Sequence, residues 1–395
     1  MRVLMLSDVY FPRINGVSTS IQTFRDALRP LGVEVTLVAP DYPGAVPDPD
    51  IIRLPSRAVP FDPEDRLMHW SALRALERRP ARADFQLVHV QTPFAAHYVG
   101  LRLARRFGLP CVATYHTHFE EYLFHYLPLL PRGLLRATAR AIARRQCNAL
   151  DGVIVPSQAM AEALRGYGVS APLSVIPTGM PETQFHPGDG PAFRARHGIP
   201  ADALVALYVG RAAHEKNIGF LLEAAAIARR RLPRLLLLVA GEGPALPALR
   251  RQAEELDLGH HVRFVGYLDR DTALRDCYAA ADVFAFASLT ETQGLVILEA
   301  MAAGLPVLAH SAMGTRGLVD PERGAQRAAA DPHGFAAQLV TLLSQPDRRA
   351  AMSVAGREFA REWTAERPAA ELAAFYRGLG QPEFDTAPAT ACRAT

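Results

Sequence analysis

Short, continuously apolar runs recur along this chain, and each is followed by a longer stretch of helical character. In the first half they read RVLMLS (2–7), EVTLVAP (34–40), DFQLVHVQ (84–91), PCVATYH (110–116), GVIVPS (152–157) and LSVIPTG (173–179). In the second half they read LVALYVG (204–210), RLLLLVAG (234–241), HVRFVGY (261–267), DVFAFAS (282–288) and LPVLAHS (305–311). A strand that is apolar on both sides needs cover on both faces, the situation of a parallel strand flanked by crossover helices. Two such series predict an α/β chain of two doubly wound domains. The segment PTGMPETQFHPGDGPA (177–192), rich in Pro and Gly and without periodicity, separates them. We expect a first domain over 1–183, a second over 184–364, a C-terminal helix over 365–380 and a flexible polar tail over 381–395.

With 395 residues the chain can bury two cores of ordinary size. No apolar run approaches the ~18 residues of a spanning helix, and Asp8 interrupts the N-terminal MRVLMLSDVY too early for a signal peptide, so a cytoplasmic location is expected. The cysteines Cys111, Cys147, Cys277 and Cys392 are scattered, with no C-x-x-C pair and no histidine cluster at ligand spacing, which favours reduced thiols without structural zinc. A net charge of +3 offers no argument for a nucleic-acid partner.

The most specific stretch is SLTETQGLVILEAMAAGLPVLA (288–309). A strand ends near Ser288, a turn carries Glu291, and a helix beginning near Leu295 carries Glu299 one turn inside. Eight helical residues span at most about 12 Å, enough to place one carboxylate at each end of an extended ligand. Between them the amides near Gln293, Gly294 and Leu295 point out of a helix N-terminus, a natural seat for phosphate. Carboxylates repel phosphate, so the two acids must grip hydroxyls on either side of it. A nucleotide sugar has that layout: hexose, diphosphate, ribose.

The cation comes from YVGRAAHEKN (208–217), at the end of a strand, where ligands of open α/β sheets bind. Arg211 and Lys216 lie in one short loop and can converge on one anion. Of the 43 Lys and Arg residues, Lys216 is the one lysine. A compact ammonium reaches a phosphate where the planar fork of arginine needs more room, so position 216 reads as confined.

GRAAHEKN, LLVAGEGP (237–244), VRFVGYLD (262–269) and ETQGLVILEA with GLPVLA resemble the retaining nucleotide-sugar glycosyltransferases of family 4, whose GT-B fold sets two Rossmann-like domains face to face. PRINGVSTSI (12–21), VHVQTPF (88–94), TYHTHFEEY (114–122) and VIPTGM (175–180) are similar to its acceptor-side motifs, so the match covers nearly the whole chain. The resemblance implies that Arg211 and Lys216 bind the diphosphate, Glu299 the ribose and Glu291 the transferred sugar. It implies that backbone groups of Gln293, Gly294 and Leu295 hold sugar and phosphate, that Gly16 lets the backbone approach the diphosphate, and that His116 lies beside the reacting sugar. Asp8, Tyr10, His118 and Tyr122 are expected on the acceptor side, and the C-terminal helix is expected to return to the first domain. Asn15-Gly16 replaces the Gly-Gly of many relatives, and Gln293 stands where an aromatic is common, which leaves the hexose open between UDP-glucose and GDP-mannose types.

No metal or cofactor is expected. Asp48-Pro-Asp50 lies in a Pro-rich loop and Asp269-Arg-Asp271 in a polar turn. The acceptor is expected to be a lipid or glycan, and TYHTHFEEYL with ETQG resembles the branch that glycosylates diacylglycerol, alongside mannosyltransferases. In PRGLLRATARAIARRQ (131–146), Arg132, Arg136, Arg140 and Arg144 fall on one helical face, suited to an anionic membrane surface or simply to solvent. The remaining alternatives are an epimerase or hydrolase of the same fold, or a non-catalytic nucleotide-sugar-binding partner. A dehydrogenase is disfavoured because GEGPAL (241–246) fails the G-x-G-x-x-G pattern, and a P-loop because Lys216 follows Glu215.

Overall fold

The computed structural model describes residues 1–59, 62–78, 85–117, 131–270 and 272–380. The first domain is a seven-stranded sheet built from β1 (Arg2–Leu6), β2 (Glu34–Pro40), β3 (Ile51–Leu54), β6 (Leu87–Val90), β7 (Cys111–Thr114), β8 (Gly152–Val155) and β9 (Leu173–Val175). Its order is β3-β2-β1-β6-β7-β8-β9, parallel throughout. A separate antiparallel hairpin, β4 (Ser56–Val59) and β5 (Asp62–Met68), lies outside it. The second sheet comprises β10 (Leu204–Val209), β11 (Leu235–Ala240), β12 (Val262–Gly266), β13 (Val283–Phe286), β14 (Val307–Ala309) and β15 (Ala325–Arg327). Its order is β12-β11-β10-β13-β14-β15, again parallel.

Every apolar run read from the sequence is a strand here. The edge strands β3 and β15 and the hairpin were not legible. IIRL alternates a charge among apolar residues, β15 is the three-residue AQR, and β5 holds Asp62, Asp65 and Arg66. β3 and β15 are outer strands of their sheets, where less apolar cover is needed, and β4-β5 stand apart from both sheets.

In each sheet the strand order reverses once, between β1 and β6 and between β10 and β13. Parallel strands send all their C-terminal loops to one edge, and the crevice opens where neighbouring loops diverge. The loops after β10 and β13 carry Arg211, Lys216 and Glu291. The loops after β1 and β6 carry Asp8 and Gln91, and His116 follows β7.

The chain crosses between domains twice, side by side. Met180 N donates to Trp363 O at 2.8 Å and Ala365 N to Met180 O at 3.0 Å, forming a parallel bridge between Met180 and Thr364. The crossing leaves no room for a side chain: a Cβ on Gly179 would stand 2.5 Å from Ala365 Cα. The last helix, Glu366–Gly380, packs on the first domain as expected. Its Ala369, Leu372, Ala373 and Tyr376 share a core with Val3, Met5, Leu37 and Leu87. Among the described residues no helix is long and apolar enough to cross a membrane.

Candidate functional site

The second-domain half of the site rests on interlocked loops. Ala212 N donates to Glu242 O at 2.8 Å and Ala245 N to Ala212 O at 2.9 Å, so the turn after β11 braces the loop carrying Arg211. That loop ends in a 3-10 turn, His214–Lys216, closed by Asn217 in the left-handed region. The turn puts the Lys216 side chain towards the loop after β13. There its Nζ donates to Glu291 Oε1 at 2.6 Å, with the two side chains 18% and 15% exposed.

The helix Leu295–Ala302 begins at Gly294, whose φ of 89° suits glycine and whose position is capped by no side chain. Leu295 is its first residue. Glu299 is buried on this helix, 1% exposed in its side chain, and it is held from two sides. Tyr278 Oη donates to Oε2 at 3.0 Å, and the Arg270 guanidinium forms a short ion pair with Oε1. Burial and the adjacent carboxylate push the Tyr278 hydroxyl well above its ordinary pKa, so it stays a donor. Arg270 escaped the sequence reading, which saw it only as the middle of an Asp-x-Asp. The usable signal is its place in the loop after β12, on the same sheet edge as the other site loops.

The first domain grips the acidic turn directly. Thr292 Oγ1 donates to His116 O at 2.9 Å, and Ser157 Oγ donates to Thr292 O at 2.6 Å. The Gln293 side chain is 7% exposed and spent on the crossover segment, accepting from Thr178 N at 2.9 Å and donating to Thr178 O at 2.7 Å. Its role is therefore structural in the side chain, and any ligand contact falls to its backbone. His116 thus stands beside the Glu291 turn, with Nε2 2.7 Å from Gln91 Oε1. Desolvation lowers the imidazole to about 4.

Gly16 opens the helix Gly16–Leu28, whose Asn15 cap accepts from Ser18 N at 2.8 Å. A Cβ built on Gly16 would meet nothing within 4 Å.

One acceptor-side expectation, Tyr10, is corrected, and Asp8 has a further role. Tyr10 is 2% exposed inside the first core, its hydroxyl accepting from Arg25 Nη1 at 2.9 Å with the Arg53 guanidinium over its ring, so it is no part of a cleft wall. The Asp8 carboxylate accepts from Thr92 Oγ1 at 2.7 Å and from Ala96 N at 3.1 Å, which ties the loop after β1 to the start of helix Ala95–Phe107. It is an anchor at the first switch point, and burial raises it to about 6. His118 and Tyr122 lie outside the described residues.

The acid pairs considered for metal have other partners. Asp48 pairs with Arg25 at 3.1 Å and Asp50 with Arg29 at 3.0 Å, while Asp269 accepts from Thr272 N at 2.9 Å; Asp271 is outside the described residues. Among the described residues no three His, Cys, Asp or Glu cluster as metal ligands.

The site therefore sets two carboxylates, Glu291 before the helix N-terminus and Glu299 within the helix, with Lys216 paired to the first and Arg270 to the second. The family model of Glycosyltransferase Family 4 matches residues 14–184, and that of Glycosyl transferases group 1 matches residues 189–359. The alpha-monoglucosyldiacylglycerol synthase of Streptococcus pneumoniae is 34% identical over 78% of this chain and 71% of its own. The GDP-mannose-dependent alpha-mannosyltransferase of Mycolicibacterium smegmatis is 31% identical over 92% of this chain and 94% of its own. Among solved structures, sucrose-phosphate synthase from Thermosynechococcus elongatus superposes with a TM-score of 0.79 at 25% identity, covering 96% of this chain and 98% of that one. On its sequence, its two facing parallel sheets and these relatives, the chain belongs to glycosyltransferase family 4 and is a retaining glycosyltransferase of the GT-B fold.

Proposed function

We propose that this enzyme transfers a hexose from a nucleoside-diphosphate sugar to a lipid acceptor presented at an anionic membrane surface, without a metal ion. The observation that carries the donor half is the convergence of Lys216 with Glu291 across the switch point, just before the helix that holds the buried Glu299. Glu299 takes the ribose diol, the amides at Gly294 and Leu295 take phosphate, and Glu291 takes sugar hydroxyls. Arg211 and Lys216 supply the charge that stabilises the departing diphosphate.

In the transfer, the anomeric C–O bond to phosphate breaks and its electron pair leaves with the diphosphate. The acceptor hydroxyl attacks from the face the phosphate leaves. Its proton passes to a phosphate oxygen, and configuration is retained without an enzymic nucleophile.

The lipid half of the reading is supported by the helix Arg132–Cys147. It buries Leu135, Ala139, Ala143 and Cys147 and exposes Arg132, Arg136, Arg140 and Arg144, together with Leu134 (57%) and Ile142 (48%). Gln146 donates to Pro93 O at 2.7 Å and to Tyr98 Oη at 3.3 Å, which sets the exposed Phe94 and Tyr98 beside this helix. A groove of about 490 Å³ lined by Arg136, Arg140, Arg144 and Tyr167 runs along the arginine flank of the helix. Exposed arginines on one flank and exposed apolar side chains on the other flank of a surface helix suit an interface with anionic headgroups, at about 1 kcal/mol per basic residue near the surface. The lipid-linked substrates in the relatives' names point the same way.

The test is turnover. Purified enzyme receives UDP-glucose or GDP-mannose with vesicles of zwitterionic lipid, with or without anionic lipid and diacylglycerol. Nucleoside diphosphate released only when acceptor is present supports transfer, whereas release without acceptor would mean hydrolysis. Flotation indifferent to anionic lipid, or unaffected in Leu134→Glu/Ile142→Glu, would remove the membrane from the proposal and leave a soluble glycan as acceptor.

A further inference from the structure

A file of buried polar side chains runs through the first domain, from the returning C-terminal helix to the cleft. His89, on β6, is 1% exposed. Its Nδ1 lies 2.5 Å from the Tyr376 hydroxyl of helix Glu366–Gly380 and its Nε2 2.8 Å from Thr114 Oγ1 on β7. Burial drives the imidazole down to about 3, so it is neutral and holds one proton between its two nitrogens. Gln91, two residues further along, places its amide nitrogen 3.2 and 3.1 Å from those nitrogens and its carbonyl oxygen 2.7 Å from His116 Nε2.

The direction of this file follows from what each group can donate. The closer hydroxyls take the His89 nitrogens, so the Gln91 group that is nearly equidistant from both lies against the ring. An amide N–H is favourable on an electron-rich ring face and a carbonyl oxygen is not. The carbonyl is thereby turned towards His116. A carbonyl oxygen only accepts, so the proton of the neutral His116 ring must sit on Nε2, which leaves Nδ1 bare. No described residue is recorded as a partner of that Nδ1. The His116 carbonyl, meanwhile, is fixed by Thr292 next to Glu291.

We propose that Gln91, held by His89 and Tyr376, is a positioning residue that locks His116 in the Nε2–H tautomer, so that Nδ1 is presented to the cleft as an acceptor for a hydroxyl of the transferred sugar. The sugar contact rests on the proposed function; the tautomer does not. The C-terminal helix is then wired into the site as well as packed on the domain.

The experiment is long-range ¹H–¹⁵N spectroscopy of the full chain labelled at histidine, with His116 assigned by the signals lost in His116→Gln. Unliganded wild type should show a protonated Nε2 and a bare Nδ1 at His116. Gln91→Leu should redistribute the proton between the two nitrogens and lower donor kcat/KM on the order of tenfold, the size of one hydrogen bond. Gln91→Glu, which keeps an accepting oxygen, should restore the Nε2–H tautomer. Tyr376→Phe, away from the cleft, should move the His89 signals and partly redistribute those of His116.

A bare Nε2 at His116 in wild type overturns the proposal, as does an unchanged tautomer in Gln91→Leu. Should Gln91→Leu not fold, the Gln91→Glu and wild-type spectra decide the tautomer alone. A shifted tautomer with unchanged kinetics would sustain the wiring and overturn the sugar contact. A Tyr376→Phe variant that changes only its melting temperature would cut the C-terminal helix out of the relay.

Discussion

Lys216 Nζ and Glu291 Oε1 lie 2.6 Å apart, bridging the loops that follow β10 and β13. Each was expected to face a ligand, and in the structure they also face each other. The pair keeps a largely buried carboxylate from standing unpaired, and it lowers the negative charge a diphosphate would meet on entry. The ammonium fits because the 3-10 turn brings a long stem close to the acid, and a guanidinium needs a wider, flatter space. Lys216→Arg should therefore fold with little change in Tm and lose ten- to a hundredfold in donor kcat/KM, about 1.4–2.7 kcal/mol. Steady-state kinetics with saturating acceptor checks this; wild-type values would show that position 216 asks only for charge.

Arg270 gives a stability prediction at the other acid. Glu299 is 1% exposed and Arg270 21%, so removing the cation leaves a desolvated carboxylate with Tyr278 as its remaining recorded partner. Breaking a fully buried pair costs about 3–5 kcal/mol; the partial exposure of Arg270 brings the expectation for Arg270→Ala to about 2 kcal/mol. Urea unfolding measures it. In an Arg270→Ala/Glu299→Gln double variant most of that loss should return, since no charge is then stranded. A double variant as unstable as the single one would mean that Arg270 acts through packing instead.

Much of this site was legible because chemistry at parallel-strand ends is local in sequence. Glu291, Gly294, Leu295 and Glu299 fall in one strand-turn-helix unit, and Arg211 and Lys216 in one loop, so period and turn residues sufficed to place them. What stayed hidden depends on neighbours far along the chain. Arg270 meets Glu299 across 29 positions, Gln293 meets Thr178 across 115, and His89 meets Tyr376 across 287. Tyr10 was misplaced for the same reason. It follows a strand as a cleft residue would, but Arg25 and Arg53, from other elements, draw its ring into the core.

Buried histidines set the response to acid. Burial lowers His89 to about 3 and His97 and His116 to about 4, while in the unfolded chain each titrates near 6.5. Between those values the unfolded state binds more protons, so this stability is present above pH ~6.5 and is lost as the pH falls towards the folded values. Asp8 opposes them: raised to about 6, it contributes stability present below its unfolded pKa and lost as the pH rises through about 6. With three groups against one, the denaturant midpoint should fall on acidification from about pH 6.5 to 4. His97→Gln should flatten that slope and Asp8→Asn should steepen it. A midpoint that rises over this range would show that the histidines are protonated in the fold.

Gly16 separates a packing role from a ligand role. A side chain there would meet no protein atom within 4 Å, and the residue lies in the first turn of a helix with ordinary backbone geometry, so the fold makes no demand for glycine. Gly16→Ala should leave stability unchanged or raise it by roughly 0.4–1 kcal/mol through the unfolded state. If the space in front of Gly16 receives the donor diphosphate, adding bulk should instead cost binding in proportion to size. Gly16→Val should then raise donor KM more than Gly16→Ala, with both variants melting at or near the wild-type temperature. Isothermal titration with the nucleoside diphosphate alone reads the same effect without turnover. Equal affinity in all three proteins would place the diphosphate elsewhere and leave the glycine unexplained.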